Sequence, residues 1–316
     1  MVKVGALKGI LKDYTMLFIL IGLVIMFSIL SPSFLSALNL RNLIVQNSHI
    51  LIVAVGISFV MMSGSLDLSV GYQVSAIGVL TAKLMTVFQV NPLIAMLCGI
   101  LLGIGLGFTN GFVAVVLKIE PLVVTIATAT IFQGISYLIS KGAAFPNLPV
   151  SFRLISRGTL FGISMDIYIA VVFIAIASCV YNFTYFGRYV KAMGSNIEAT
   201  RLAGVNVKFI RVATFMISGF CIAITTFILI SKQGTTNTSV GPGTEMTAMT
   251  AAILGGISFN SGEGKMWGLV VGVFVLAIIE NGMQMAGWNQ YIQYIVKGVI
   301  LIAAIGYNQY QRAVKL

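Results

Sequence analysis

Charge is scarce in this chain. Only 9% of its 316 residues are Asp, Glu, Lys or Arg, whereas soluble globular domains carry about 25%, and this excludes a water-soluble globular fold. Histidine occurs once and cysteine three times. With Cys98, Cys179 and Cys221 scattered through apolar stretches, neither a metal site nor a disulfide framework is supported, and the thiols read as small apolar packing groups. A phosphate-binding loop is missing too. The nearest candidate, "SGEGKM" at 261–266, places Lys265 after Gly264 but has no upstream Gly at the required spacing and no Ser or Thr after the Lys. ATP is therefore not bound through that motif. Pro/Ser-rich linkers and charge runs do not occur either, so residues 1–316 read as a single domain.

What the chain has in abundance is apolar length: 58% of its residues are hydrophobic and its mean hydropathy is +1.02. A helix needs about 20 apolar residues to cross a hydrocarbon core of about 30 Å. Ten candidate spans meet or approach this: Tyr14 to Leu30, Leu43 to Met62, Val70 to Phe88, Pro92 to Leu117, Pro121 to Ser140, Met165 to Tyr185, Ile210 to Ile230, Thr244 to Ser258, Met266 to Met285 and Tyr291 to Tyr307. The eighth is short. The expected fold is all-α and polytopic, with about ten transmembrane helices. The run from Met16 to Leu30, behind Lys3, Lys8 and Lys12, is long for a cleavable leader and no small-x-small site follows it, so it reads as a retained helix.

A cytoplasmic N-terminus places Lys3, Lys8, Lys12, Lys118, Arg188, Lys191, Arg201, Lys208, Arg211, Lys265, Arg312 and Lys315 inside. Only Arg41, Lys141, Arg153, Arg157 and Lys232 fall outside, a twelve-to-five bias that follows the positive-inside rule and puts both termini in the cytoplasm. The net charge of +11 thus reads as topology. No nucleic-acid partner is expected, because the basic residues are spread over separate loops. No Ser, His and Asp set can be placed on one membrane face, so no catalytic site is expected.

Five spans lie on each side of the external loop Lys141 to Ser164, and "SVG" occurs at Ser69 to Gly71 and again at Ser239 to Gly241, each between the second and third span of its half. Repeats of five helices run in opposite directions, the inverted-repeat design of many transport proteins, and this topology sets the two copies on opposite faces. In the fourth span Ala95, Gly99, Gly103, Gly107 and Gly111 recur at spacing four, a small-residue face that lets a neighbouring helix approach closely.

Polar groups in such a chain need a reason, since a charge at mid-membrane costs roughly 2.5 to 3.5 kcal/mol. Asp67, in "SGSLDLSVG", either lines a hydrated path or braces a broken helix, or it simply caps the next helix, the Asp67 or Ser69 side chain accepting from free backbone N–H groups. Glu280 and Lys297, about 8 and 9 Å below the outer surface at about 1.5 Å per residue, form a candidate pair. Snorkelling of Lys297 is the alternative. Lys83 reads as snorkelling and His49 as a packing or capping residue.

Between the sixth and seventh spans the chain turns polar: "GSNIEATRLAGVNVKFIR", 194–211. Within the loop 186–210, Asn196 to Leu202 carries good helix formers, an N-cap at Ser195 or Asn196, Glu198 in the first turn and Gly204 as a stop. Ile197, Leu202 and Val205 are expected to dock in a groove of a soluble partner.

Five stretches in order, "MSGSLDLSVG", "GFTNGFVAVVLKIEPLVVTIATATIFQGI", "GRYVKAMGSNIEATRLAGVNV", "GTEMTAMTAAILGGISFNSGEGK" and "YIVKGVILIAA", resemble the permease subunit of bacterial ABC importers for sugars. The branch is the ribose, xylose and galactose type that includes the autoinducer-2 permeases, and the likeness covers most of the chain. It implies that Glu198, Ala199 and Gly204 match an E-A-A-x-x-x-G motif contacting the ATPase subunit, with Thr200 departing from its third position; Gly194, Asn196, Arg201 and Leu202 complete the expected coupling segment. It further implies a second permease subunit, identical or closely related, two ATPase subunits that hold the ATP and Mg, and an external substrate-binding protein, all at the bacterial inner membrane. The expected function is sugar import by alternating access, a ribose-like monosaccharide or related small polyhydroxylated molecule being favoured.

The residues expected to line the path are Asp67, Ser69, Asn110, Thr235, Thr236, Asn237 and Glu245, because a sugar's hydroxyls suit uncharged hydrogen-bonding groups. The competing function is an ion-coupled secondary transporter that works without an ATPase and uses Asp67 or Glu280.

Overall fold

The computed structural model describes residues 15–259 and 261–313, so the readings of Lys3, Lys8, Lys12, Tyr14 and Lys315 lie outside the described residues. In chain order the elements are α1 (Thr15–Leu30), α2 (Ala37–Met62), α3 (Val70–Thr86), α4 (Pro92–Leu117), α5 (Pro121–Ser140), α6 (Val150–Arg157), a two-stranded hairpin β1 (Thr159–Leu160) and β2 (Ile163–Ser164), α7 (Met165–Phe183), α8 (Tyr185–Ser195), α9 (Ile197–Leu202), α10 (Val207–Gln233), α11 (Thr244–Leu254), α12 (Met266–Met285) and α13 (Gln290–Ala313). Local chemistry sets many boundaries. Ser36 and Asn91 accept from backbone N–H groups of the first turns of α2 and α4, Pro92 and Pro121 occupy starts where no N–H is needed, and Gly234 closes α10 at φ +73°.

A helix lies on every expected span, and among the described residues six helices, α2, α4, α5, α7, α10 and α12, are long and apolar enough to cross a membrane. At 11 residues, α11 extends only about 16 Å, half a bilayer. The packing centres on α2 and α10. In each, 67% of the most apolar stretch is buried, against 22% in α7, which marks α7 as peripheral. The glycine face of α4 seats α10: a Cβ on Gly103 would stand 2.5 Å from the Gly219 carbonyl oxygen, and one on Gly111 2.8 Å from Val212 Cα. Backbone approach this close requires glycine. Lys83, expected to snorkel, instead donates to the Ile139 carbonyl oxygen at 2.9 Å.

The contact pattern repeats. α10 packs on α3 and α4, and α2 packs on α11 and α12; α3 lies against α4 and α5, and α11 against α12 and α13. The two SVG copies, expected on opposite faces, touch. Gly71 abuts Glu245 Oε2, and a Cβ there would stand 2.7 Å from the Gly241 carbonyl oxygen. The reason is that the segment after α2 turns back into the interior, where Asp67 and Ser69 are fully buried. Its turn has a counterpart: Asp67 Oδ1 accepts from Ser69 N at 2.9 Å, and Asn237 Oδ1 accepts from Ser239 N at 2.8 Å. α3 and α11 therefore meet N-terminus to N-terminus. The two positive helix ends are offset by carboxylates at Asp67 and at Glu245, which accepts from Gly243 N at 3.0 Å.

Valine at Gly71 is expected to lower stability by about 1–3 kcal/mol, the usual range for overpacking, because it collides with backbone as well as with Glu245. Valine at Gly105, where nothing lies within 4 Å, is the control. Thermal unfolding in lipid nanodiscs checks this, and equal melting temperatures would refute the tight joint.

The connection from Lys141 to Ser164 is pinned to the end of α10. Asp166, wholly buried, accepts from Ser156 Oγ at 2.9 Å and Ser164 Oγ at 2.6 Å. Lys232 Nζ lies 3.4 Å from the same carboxylate and donates to the Val45 carbonyl oxygen at 2.8 Å.

Candidate functional site

The polar segment after α7 builds a short projecting helix. Asn196 Oδ1 caps α9 by accepting from Ala199 N at 2.9 Å, and Gly204 ends it at φ +83°, a conformation that favours glycine. Glu198 and Arg201 pair on the exposed side at 2.6 Å, and Leu202 is 83% exposed. Thr200 is buried and donates to the Asn196 carbonyl oxygen at 2.7 Å. Its departure from the family motif therefore falls on the inward side. Ile197 and Val205, expected to dock in a partner together with Leu202, pack on the chain's own core. Six residues of helix lying on the body turn those two side chains inward and leave only Leu202 unpartnered.

The base of this segment is wedged against two chain reversals. Gly194 abuts the Met62 carbonyl oxygen at the end of α2, and a Cβ there would stand 2.6 Å from Gly262 Cα in the α11–α12 connection. Tyr181 Oη donates to the Gly262 carbonyl oxygen at 3.0 Å, with Lys191 Nζ 4.0 Å from the centre of the same ring. The end of α8, from which α9 starts, thus rests directly on the end of α2, whose continuation is the buried Asp67 turn.

The residues expected to line a path sit in the joints of the fold. Asp67 also accepts from Ser69 Oγ at 2.6 Å and from Gln73 Nε2 at 3.2 Å, and Asn110 Nδ2 donates to Ser69 Oγ at 2.8 Å. Thr235 Oγ1 donates to the Phe145 carbonyl oxygen at 3.1 Å, Thr236 pairs its backbone with Phe145, Asn237 forms the second Asx turn and Glu245 caps α11.

A cavity of about 330 Å³ lies elsewhere, between α2, the start of α11, α12 and α13, and none of those seven residues lines it. Its walls carry Gln46, Asn47 and His49 from α2, Thr244 and Thr247 from α11, Glu280, Asn281 and Gln284 from α12, and Tyr294 and Lys297 from α13. Lys297 Nζ lies 2.7 Å from Glu280 Oε1, so the two candidate partners come together. His49 Nδ1 is buried without a protein partner. A signal for this site was present in the sequence: Glu280, Asn281 and Gln284 stand at helical spacing i, i+1, i+4, which places three polar groups on one face of an otherwise apolar span, and Gln46 and Asn47 stand side by side in another. Read singly, His49 was assigned to packing.

Comparison with known proteins places this arrangement among transport proteins. The family model "Branched-chain amino acid transport system / permease component" matches residues 39–305. The chain is 35% identical over 303 residues to the L-arabinose transport system permease protein AraH of Escherichia coli K12, covering 96% of this chain and 92% of that protein. It is 31% identical over 285 residues to the ribose import permease protein RbsC of Bacillus subtilis, covering 90% and 88%. With the D-allose transport system permease protein AlsC of Escherichia coli K12 it shares 31% over 298 residues, covering 94% and 91%. No solved structure matches the chain.

Proposed function

Because the chain belongs to the branched-chain amino acid transport system / permease component family, as a multi-pass inner-membrane permease of the ribose, xylose, galactose and autoinducer-2 type of ABC importer, we propose that it carries a monosaccharide into the cytoplasm by alternating access. Two permease subunits, identical or paired with a close relative, enclose the path; two ATPase subunits bind ATP and Mg on the cytoplasmic side; and a substrate-binding protein delivers the sugar from outside. Both termini lie in the cytoplasm and the chain crosses about ten times, its two five-helix halves inverted about the meeting point of α3 and α11. The matching contacts of the two halves and the paired Asx turns support this symmetry.

One observation carries the mechanism. α9 projects Glu198, Ala199, Arg201 and Leu202 outward while Gly194 at its base bears on the end of α2 and on Gly262. ATP-driven closure of the ATPases moves α9, and the shift reaches the joint where the N-termini of α3 and α11 meet. Inward and outward access then differ in how ATP state biases that joint.

The substrate panel follows from the relatives' names: L-arabinose, D-ribose and D-allose. In the test, the chain is purified from its native membrane, an accompanying ATP-binding polypeptide is sought, and ATPase activity is measured in lipid. Glu198→Ala with Arg201→Ala is expected to reduce association or sugar-stimulated turnover about 10-fold without unfolding, since an exposed pair contributes about 0–1 kcal/mol to stability. If no ATP-binding partner accompanies the wild type, the ion-coupled transporter replaces this reading.

A further inference from the structure

We propose that the cavity between α2, α11, α12 and α13 is a monosaccharide subsite of the permease subunit, occupied by the sugar during import. The inference rests on the import reading and deepens it. Its first support is the Glu280–Lys297 pair, which stands at 2.7 Å with each side chain about a quarter exposed on the wall of a cavity of about 330 Å³. Ionised side chains among apolar helices are costly, and well-packed apolar residues would stabilise the bundle at least as well. A pair kept at a cavity wall serves what enters the cavity.

The second support is the character of the lining. Amides at Gln46 and Gln284 and the hydroxyl at Thr244 each offer a donor and an acceptor; the Thr247 hydroxyl, which donates to the Gly243 carbonyl oxygen at 3.3 Å, adds an acceptor, and Asn281 is held on the wall by its reciprocal bonds with Asn39. Glu280 supplies a pure acceptor and Lys297 a pure donor, so neighbouring hydroxyls on one ring can engage both at once. The carboxylate and ammonium cancel in charge, which suits a neutral polyol and disfavours an anionic sugar phosphate. A branched-chain amino acid needs an apolar pocket for its side chain, and these walls are mostly polar. The volume lies at the small end of the ligand-pocket range of about 300–1,000 Å³, fitting a single sugar ring.

The test uses the complete importer with cysteine introduced by Gln284→Cys or Asn281→Cys, in a background where Cys98 and Cys179 are serine. In nanodiscs, with the binding protein present, a charged methanethiosulfonate reagent is added and the rate of modification is followed. Sugars of the arabinose, ribose and allose panel that the wild type imports in proteoliposomes are expected to slow modification at least about 5-fold, whereas leucine and ribose 5-phosphate leave it unchanged. Glu280→Gln and Lys297→Gln are each expected to raise the KM for import about 10-fold while kcat falls less than about 2-fold. Unprotected or absent modification in a complex that imports the sugar overturns the subsite and leaves the importer reading standing. Protection by leucine alone overturns the polyol assignment. Failure of the wild type to import any sugar overturns both.

Discussion

Aspartate in place of Leu202 is expected to detach the ATPase subunits from a permease that remains folded. Leu202 is 83% exposed, while its apolar neighbours Ile197 and Val205 are absorbed by the chain's own core. The substitution therefore removes no internal contact. At an interface, burying a leucine contributes about 1.5–3 kcal/mol, and a carboxylate forced into the same apolar pocket leaves an unpaired buried charge in addition. Association should weaken by at least about 10- to 150-fold. Co-purification of the ATPase with wild type and variant, beside melting curves of the isolated permease, measures both halves of the claim. Normal ATPase recovery with the variant would mean that α9 does not provide the docking point. Loss of both recovery and stability would mean that Leu202 supports the fold.

The second large effect separates two readings of Asp67. Its Oδ1 accepts from the backbone N and the hydroxyl of Ser69, and its Oδ2 from Gln73, all in a fully buried environment. Asp67→Ala leaves the buried Ser69 backbone N–H and hydroxyl without an acceptor, at about 1–3 kcal/mol each, while Gln73 Nε2 keeps its bond to Ser69 Oγ at 2.8 Å. It is expected to lower stability by roughly 2–4 kcal/mol and to abolish import. Asp67→Asn keeps the acceptor at Oδ1. The Gln73 Oε1, which has no partner, can accept from the new amide once the Gln73 head group turns over, in exchange for the bond from Gln73 Nε2 to Ser69 Oγ at 2.8 Å. The other half of the molecule already uses Asn237 at the matching turn. Asp67→Asn should therefore import sugar within about 3-fold of wild type, consistent with a loss of under about 1 kcal/mol. An ion-coupled carrier relying on this carboxylate would lose transport entirely, so proteoliposome uptake by the asparagine variant decides between brace and ion site.

Helix positions were legible because they depend on neighbours in the chain. Pro92 and Pro121 start α4 and α5 where the expected spans begin, and the glycines of α4 face α10 at their spacing of four residues. The projecting helix was legible for the same reason: Asn196, Glu198 and Gly204 act within one or two turns of each other. Its apolar side chains were not. Whether Ile197 faces a partner or the chain's own core depends on where α8 and α10 bring the body, and no local pattern records that.

The sequence by itself determined that this is a polytopic membrane protein, where most of its helices lie and which short segment stands out from the body, since apolar length, caps and turn residues are local properties. Only the tertiary structure decided which polar residues are braces and which face open space. Gly71 meets Gly241, and Gln46 shares a cavity with Lys297. These residues are far apart in the chain, and a polar side chain's role is set by what packing brings within hydrogen-bonding reach. Asp67, Ser69 and Asn110 are buried and bonded to one another, while His49 and Gln284 border the cavity because four helices leave a gap there.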